Sequence, residues 1–359
     1  MSPRPGPRER SIASREDGAS AQGAAAVMAG GPQISRLLAR TEQRLAEIAQ
    51  GHGQELGAHA TQTLTAGGKR LRPLLVFLSA GDRDSDRRVS AESAGDRDSD
   101  RLVSAAVAVE LVHTATLVHD DVLDRAAMRR GRPTVFEGAG RGVATATGDL
   151  LFSRAFSELA EAGDPAAMRA LSAAATALAR GELMQRADAW SATVSAERYL
   201  ERCELKTARL FEASCRLGAI LGSLDAGPGA EQALALFGMR IGIAFQIFDD
   251  VLDVSGPLVH TGKHRGADLL DGTVTLPLIL ARERDIALGE IDLRAVGSRQ
   301  AAVDALCERI ESSGALGRAR AHALSYVAEA KAALAEVALG DSRRDALELV
   351  ADGVVERYG

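Results

Sequence analysis

From Ala105 to His119 the chain reads AAVAVELVHTATLVH, and it then runs straight into DDVLD. A helix over this stretch is apolar on nearly every face, so other helices must surround it. No apolar run approaches the roughly 18–20 residues that span a bilayer, so the segment is expected in a protein core. The same pentapeptide, DDVLD, closes a second apolar stretch, FQIFDDVLD, at Asp253. A core built from two such helices must also accommodate two groups of carboxylates.

The rest of the chain agrees with a helical core. Aromatic residues make up only 3% of its 359 residues, β-branched clusters are sparse, and Ala, Leu, Glu and Arg dominate, which favours helix throughout. Helical periodicity places elements at 33–51, 54–66, 73–80, 102–124, 143–162, 165–189, 196–223, 230–254, 274–284, 298–313, 315–338 and 341–357. Pro165 after Gly163-Asp164 reads as a helix start, and Pro73 as another. No linker divides this region, so the expectation is one all-α domain over 32–359 preceded by a disordered tail over 1–31, rich in Pro, Gly, Ser and Arg. The tail has no apolar core of a secretory signal. Net charge is −6, which gives no sign of nucleic-acid binding. Three cysteines without CxxC spacing read as free thiols in a reducing, cytoplasmic setting.

One tandem repeat stands out. AGDRDSDRRVSAES (80–93) is followed at once by AGDRDSDRLVSAAV (94–107), with 11 of 14 positions identical. Asp82, Asp84 and Asp86 resemble the start of a calcium loop, but Arg87 and Ser93 replace its turn glycine and closing glutamate. The segment 80–107 is therefore expected to be a duplicated, solvated loop that bulges from the fold and leaves the site intact.

On a helix, Asp120 and Asp124 share one face with Asp121 beside them, and Asp249, Asp253 and Asp250 repeat the geometry. Carboxylates about 5–6 Å apart repel by about 3 kcal/mol at an effective dielectric near 20. Apolar flanks make that untenable unless cations neutralise the cluster. Oxygen donors with no cysteine nearby favour Mg²⁺, then Mn²⁺, with a substrate phosphate completing the shell.

Basic groups suited to that phosphate follow. AGGKRLRPL sets Lys69 and Arg72 three apart at a helix start, where free backbone N–H groups add anion affinity. MRRGRPT sets Arg129 and Arg130 just beyond the first aspartates, where they can close over a metal-bound diphosphate. Lys206-Thr207 adds a further pair, and Gln246 lies one turn before Asp249 and Asp250. His113, Thr116, Asp120 and Asp124 fall on one helical face, whereas His119 lies off it and reads as a packing residue.

In this order, GGKRLRP, HDDVLD, RRGRPT, GDLLFSRAF, GELMQ, KTARLFEASCRLG, FQIFDDVLD, GK and DGTVTLPLILA resemble the trans-isoprenyl diphosphate synthase (polyprenyl synthetase) family over about 34–357. The resemblance implies an isoprenoid synthase-type helical bundle with a central active-site cavity and a homodimeric assembly. It implies that Asp120, Asp124, Asp249 and Lys206 carry catalysis, with Mg²⁺ (about three ions, Mn²⁺ as substitute) on Asp120, Asp124, Asp249 and Asp253. The allylic diphosphate would meet Arg129, Lys206, Thr207, Gln246 and Lys263. Isopentenyl diphosphate would meet Lys69, Arg72, His113 and Arg130. One departure is Thr273, which stands where the family usually has lysine in DLxxGKxT.

Ala115, Thr116, Val112 and Ala108 lie one to three turns before Asp120, and none is aromatic. A product could therefore grow along about 18 Å of helix. HTATLVHDD resembles the long-chain enzymes that make quinone side chains, so a product longer than C20 is expected, with a short-chain synthase as the alternative. Such a lipid product suggests peripheral contact with a membrane at release. A non-catalytic subunit of a heteromeric synthase tends to lose one aspartate motif, and both are intact here. A His/Asp phosphohydrolase would leave GGKRLRP unexplained.

Overall fold

The computed structural model describes residues 24–51, 59, 63–64, 70–81, 92–129, 131–222, 229–256, 265–335 and 337–356, with side chains in the 92–123 helix from Arg97 onward. Within these limits the chain is a bundle of helices with one two-residue hairpin. Helix α1 (Pro32–Gln50) buries Ile34, Leu37, Thr41, Leu45 and Ile48, the stripe expected of an amphipathic helix. Helix α2 (Leu71–Leu78) buries every residue from Pro73 to Leu78 and begins two residues before the proline, which sits within its first turn.

Helix α3 (Glu92–Leu123) is the axis of one half of the bundle. It packs along α4 (Val135–Ala160) and also meets α1 and α2. Residues Ala105–Val109, Leu111, Val112 and Ala115 on it are fully buried. Its Arg97–Leu123 span passes for a membrane-crossing helix by length and composition, contrary to the expectation that no run came close. Because 72% of that apolar window is buried inside the protein, it is a core helix.

Helix α3 also corrects the loop assigned to 80–107. The second copy of the repeat is helical, while residues 82–91 lie outside the described residues. Its Leu102 and Val103 are buried, and Leu102 occupies the place held by Arg88 in the first copy. That apolar substitution draws the second copy into the core despite its charged start. Arg101 fixes it further, donating to the Ala162 carbonyl at 2.9 Å.

Helix α4 likewise starts earlier than expected. The Thr134 hydroxyl accepts from the Glu137 N–H at 3.1 Å as an N-cap, and a kink at Gly140, whose φ is 80°, splits the helix where the periodicity breaks. Helix α5 (Pro165–Asp188) opens as read from sequence: Asp164 accepts from the N–H groups of Ala166 (2.8 Å) and Ala167 (3.0 Å). Part of the stretch assigned to a tail is ordered. Residues 24–29 are helical, Ala26 is fully buried, and Gly30 packs against Ile34 and Leu78; residues 1–23 lie outside the described residues.

Helix α6 (Ala196–Cys203) passes through a single π-helical turn, Glu204–Ala208, into α7 (Arg209–Leu221). Helix α8 (Ala230–Ser255) is the second axis. It packs on α7, on the π turn and on α13 (Ala315–Ala335), with short helices α9 (Ala267–Leu270), α10 (Leu276–Arg284), α11 (Leu293–Gly297) and α12 (Gln300–Ser312) and the final α14 (Asp341–Glu356) around it. All three cysteines are buried free thiols.

Candidate active site

The two aspartate helices are joined through the π turn. Lys206 and Thr207 are adjacent in it, so their side chains leave the turn in different directions. Lys206 Nζ lies 3.9 Å from Asp120 Oδ2 on α3. Thr207 Oγ1 lies 2.7 Å from Gln246 Oε1 on α8, and Gln246 Nε2 donates to Asp250 Oδ1 at 2.8 Å. One turn of backbone thus reaches both carboxylate groups.

That turn is seated by Gly181 of α5. A Cβ there would stand 2.6 Å from the Lys206 backbone nitrogen, so only glycine lets the two segments touch. One turn of α5 then supplies Glu182, Gln185 and Arg186 to the same place. Glu182 accepts a short bond from Lys206 Nζ, and Gln185 Oε1 accepts another at 3.2 Å. Arg186 reaches Glu182 with Nε at 2.6 Å and Asp124 with Nη2 at 2.5 Å. None of these three residues was singled out from sequence, although GELMQR places them at i, i+3 and i+4.

The electrostatics follow from this packing. Burial pushes the Asp120 carboxyl up to about 6 against the pull of Lys206, and Glu182 and Asp124 add to the rise. Burial pulls the Lys206 ammonium down, but Asp120 and Glu182 more than offset this and hold it above the ordinary lysine value. Asp250 is fully enclosed; burial, then Asp268, drives its carboxyl upward, although Tyr199 donates to it at 2.6 Å.

The remaining expected residues divide. Asp124 sits one residue past the end of α3, still bonded through its N–H to the Asp120 carbonyl at 2.8 Å. Asp249 is exposed beside buried Asp250. Asp253, expected as a metal ligand, also accepts hydrogen bonds from a neighbouring helix start. Its two oxygens accept from the N–H groups of Ala267 (3.0 Å) and Asp268 (3.2 Å), so it caps α9. Arg129 is not left facing open space: its Nε donates to Asp121 at 2.8 Å from the small hairpin Met128–Arg129 and Arg132–Pro133. Arg72 stacks over the Phe211 ring at 4.5 Å. His113 is half-buried on α3, and Thr116 bonds the His113 carbonyl at 2.7 Å. His119 packs on Phe152 with ring centres 5.8 Å apart and faces Asp149, away from the carboxylate face as expected. Thr273 is half-buried. Lys69, Arg130 and Lys263 lie outside the described residues.

The donors fit a hard divalent ion. Asp120, Asp124 and Asp249 offer oxygen only, and Asp120 is a carboxylate whose burial its neighbouring cations do not fully compensate. Among the described residues no three acidic, His or Cys side chains gather into a ready cage. A hard ion such as Mg²⁺ takes one or two carboxylates and completes its shell with substrate phosphate and water.

The sequence profile of the polyprenyl synthetase family matches residues 54–310. The chain is 40% identical over 250 residues to heptaprenyl diphosphate synthase component 2 of Geobacillus stearothermophilus, covering 69% of this chain and 73% of that one. It is 36% identical over 314 residues to the geranylgeranyl diphosphate synthase of Methanosarcina mazei, covering 85% and 90%. A polyprenyl synthase of Caulobacter crescentus CB15, crystallised with calcium and isoprenyl diphosphate, superposes with a TM-score of 0.82 at 34% identity, covering 93% of this chain and 98% of that one.

Proposed function

Because this chain belongs to the polyprenyl synthetase family and is a prenyltransferase, we propose that it joins isopentenyl diphosphate head to tail to an allylic diphosphate and makes a product longer than C20, of the kind used for quinone side chains. The observation that carries this reading is the Lys206-Thr207 turn, which touches the helices of both aspartate motifs at once. A diphosphate held between the motifs would lie against that turn.

In this mechanism Asp120, Asp124 and Asp249 hold Mg²⁺. When bound there, a divalent ion would supply positive charge to the diphosphate leaving group as the allylic C–O bond ionises. Lys206 places a second positive charge at the same oxygens, and Glu182 and Gln185 fix its direction. Thr207 and Gln246 set the far side. Arg72, together with Lys69, Arg130 and His113, orients isopentenyl diphosphate so that its double bond faces the allylic carbon. The new C–C bond uses that π pair, and the released diphosphate takes up the proton lost from the adjacent carbon, so no side chain need act as base.

The small Ala115, Val112 and Ala108 on α3 support a long product, because none puts a bulky side chain on the turns before Asp120. The names of the relatives range from geranylgeranyl to heptaprenyl synthases, so product sizing is the test. Purified protein incubated with Mg²⁺, isopentenyl diphosphate and farnesyl or geranylgeranyl diphosphate should give products beyond C20. A distribution from the farnesyl primer that ended at C20, with no elongation of the geranylgeranyl primer, would restore the short-chain reading. The relative named component 2 favours a second arrangement, in which this chain is the catalytic partner in a heteromer. Elongation by the purified chain alone would speak for a self-sufficient enzyme, and homodimerisation would then be read from its solution mass.

A further inference from the structure

Arg186, which lies outside both aspartate motifs, belongs to a row of alternating charges that runs from Asp124 to Asp120. Its Nη2 lies 2.5 Å from Asp124 Oδ1 and its Nε 2.6 Å from Glu182 Oε1. The other Glu182 oxygen binds Lys206, which in turn lies 3.9 Å from Asp120. Three carboxylates are thus interleaved with two cations. The Arg186 and Asp124 side chains are 36% and 29% exposed, so solvent and small ions reach their contact. The bond to Glu182 is independent of it and anchors the guanidinium stem when the bond to Asp124 breaks.

We propose that Arg186 is a placeholder cation: it occupies Asp124 while the site lacks metal, and surrenders that carboxylate to the entering divalent ion. This rests on the reading of Asp124 as a metal ligand. Arg186 is then a positioning residue that acts through Asp124. Without a counter-charge, Asp120, Asp124 and Glu182 would repel one another on facing helices and splay the site. With Arg186 in place they stay gathered, at the cost of competition for Asp124. Partly exposed ion pairs are weak enough to be exchanged by a divalent ion. The Glu182 tether keeps Arg186 within reach to return once products and metal leave.

The test is Mn²⁺ binding to the full-length protein without substrate, read by the electron paramagnetic resonance signal of free Mn²⁺, for wild type, Arg186→Gln, Arg186→Lys and Asp124→Asn. Removing the competitor in Arg186→Gln should tighten Mn²⁺ binding about two- to tenfold. Arg186→Lys, which keeps the charge and loses the planar fork, should fall between it and wild type. Asp124→Asn should weaken binding. Unchanged or weaker binding in Arg186→Gln, with Asp124→Asn weakened, overturns the placeholder role and leaves Asp124 as a ligand. Unchanged binding in Asp124→Asn overturns both the placeholder role and the metal-ligand reading beneath it.

Discussion

Replacing Gly181 by alanine would drive a methyl group into the backbone that carries Lys206. The new Cβ would lie 2.6 Å from the Lys206 nitrogen and 2.8 Å from its Cα. Comfortable contact begins near about 3.5 Å, so the two segments must part by about 0.5–1 Å, and the atoms in the way are main chain, with no rotamer to absorb the shift. Overpacking of this kind costs about 1–3 kcal/mol. The better helix propensity of alanine returns about 0.5–1 kcal/mol, leaving a net loss of about 0.5–2 kcal/mol. The functional effect should exceed the stability effect. The displaced turn carries the ammonium that lies 3.9 Å from Asp120 and the hydroxyl that holds Gln246, and misplacement by even 1 Å can cost about 100-fold in rate. Urea unfolding and steady-state incorporation of isopentenyl diphosphate measure the two effects, with Gly317→Ala as the comparison, since a Cβ at Gly317 meets nothing within 4 Å. Gly181→Ala should lose about tenfold or more in kcat while remaining folded, and Gly317→Ala should be as active and at least as stable as wild type. If Gly181→Ala matched Gly317→Ala in both measurements, close packing against Lys206 would not be what requires the glycine.

Other outcomes follow from the same geometry. Tyr199→Phe removes the 2.6 Å bond to buried Asp250 and should cost about 1–3 kcal/mol in chemical denaturation; a loss under about 0.5 kcal/mol would show that Asp250 does not depend on it. Because burial pushes Asp120 up to about 6, protons compete with metal there. Metal affinity should be nearly flat from pH 8 to 7 and fall about tenfold per pH unit once the pH is below about 6; Mn²⁺ titrations showing no loss between pH 7 and 5 would count against Asp120 as a ligand. Ala115→Phe places an aromatic ring one turn beneath Asp120 and should shorten the product, with chain lengths read by chromatography; an unchanged distribution would remove this stretch of α3 as a length determinant.

The sequence made the helical architecture legible because apolar spacing and caps are local. The helix read over 33–51 and the Asp164-Pro165 start appear in the structure, as Pro32–Gln50 and Pro165–Asp188. Helix α3 began ten residues sooner than periodicity implied, because the charged face of the repeat hid Leu102 and Val103, whose burial is a tertiary fact. The carboxylates of Asp120 and Asp124 could be paired from helix geometry alone. What could not be read was competition for them. The N–H groups of Ala267 and Asp268, fourteen and fifteen residues on, each donate to an Asp253 oxygen, a pairing that helix spacing does not reveal. Arg129 looked open until the hairpin aimed it at Asp121. The π turn has no propensity signature, so the divergence of Lys206 and Thr207 toward two helices was invisible. Glu182 and Arg186 share one face in GELMQR, but their partners come from α3 and the π turn, which sequence spacing does not connect.

The proposed activity requires that one chain hold a complete, metal-dependent site for joining isoprenoid diphosphates. The most direct measurement is incorporation of labelled isopentenyl diphosphate into an extractable product by the purified chain alone, with farnesyl diphosphate as primer and Mg²⁺ titrated from zero. No incorporation is expected in chelator, with a saturable rise as Mg²⁺ is added and loss of that rise in Asp120→Asn with folding intact. Absence of elongation at every Mg²⁺ concentration and with geranyl, farnesyl and geranylgeranyl diphosphate alike would contradict it.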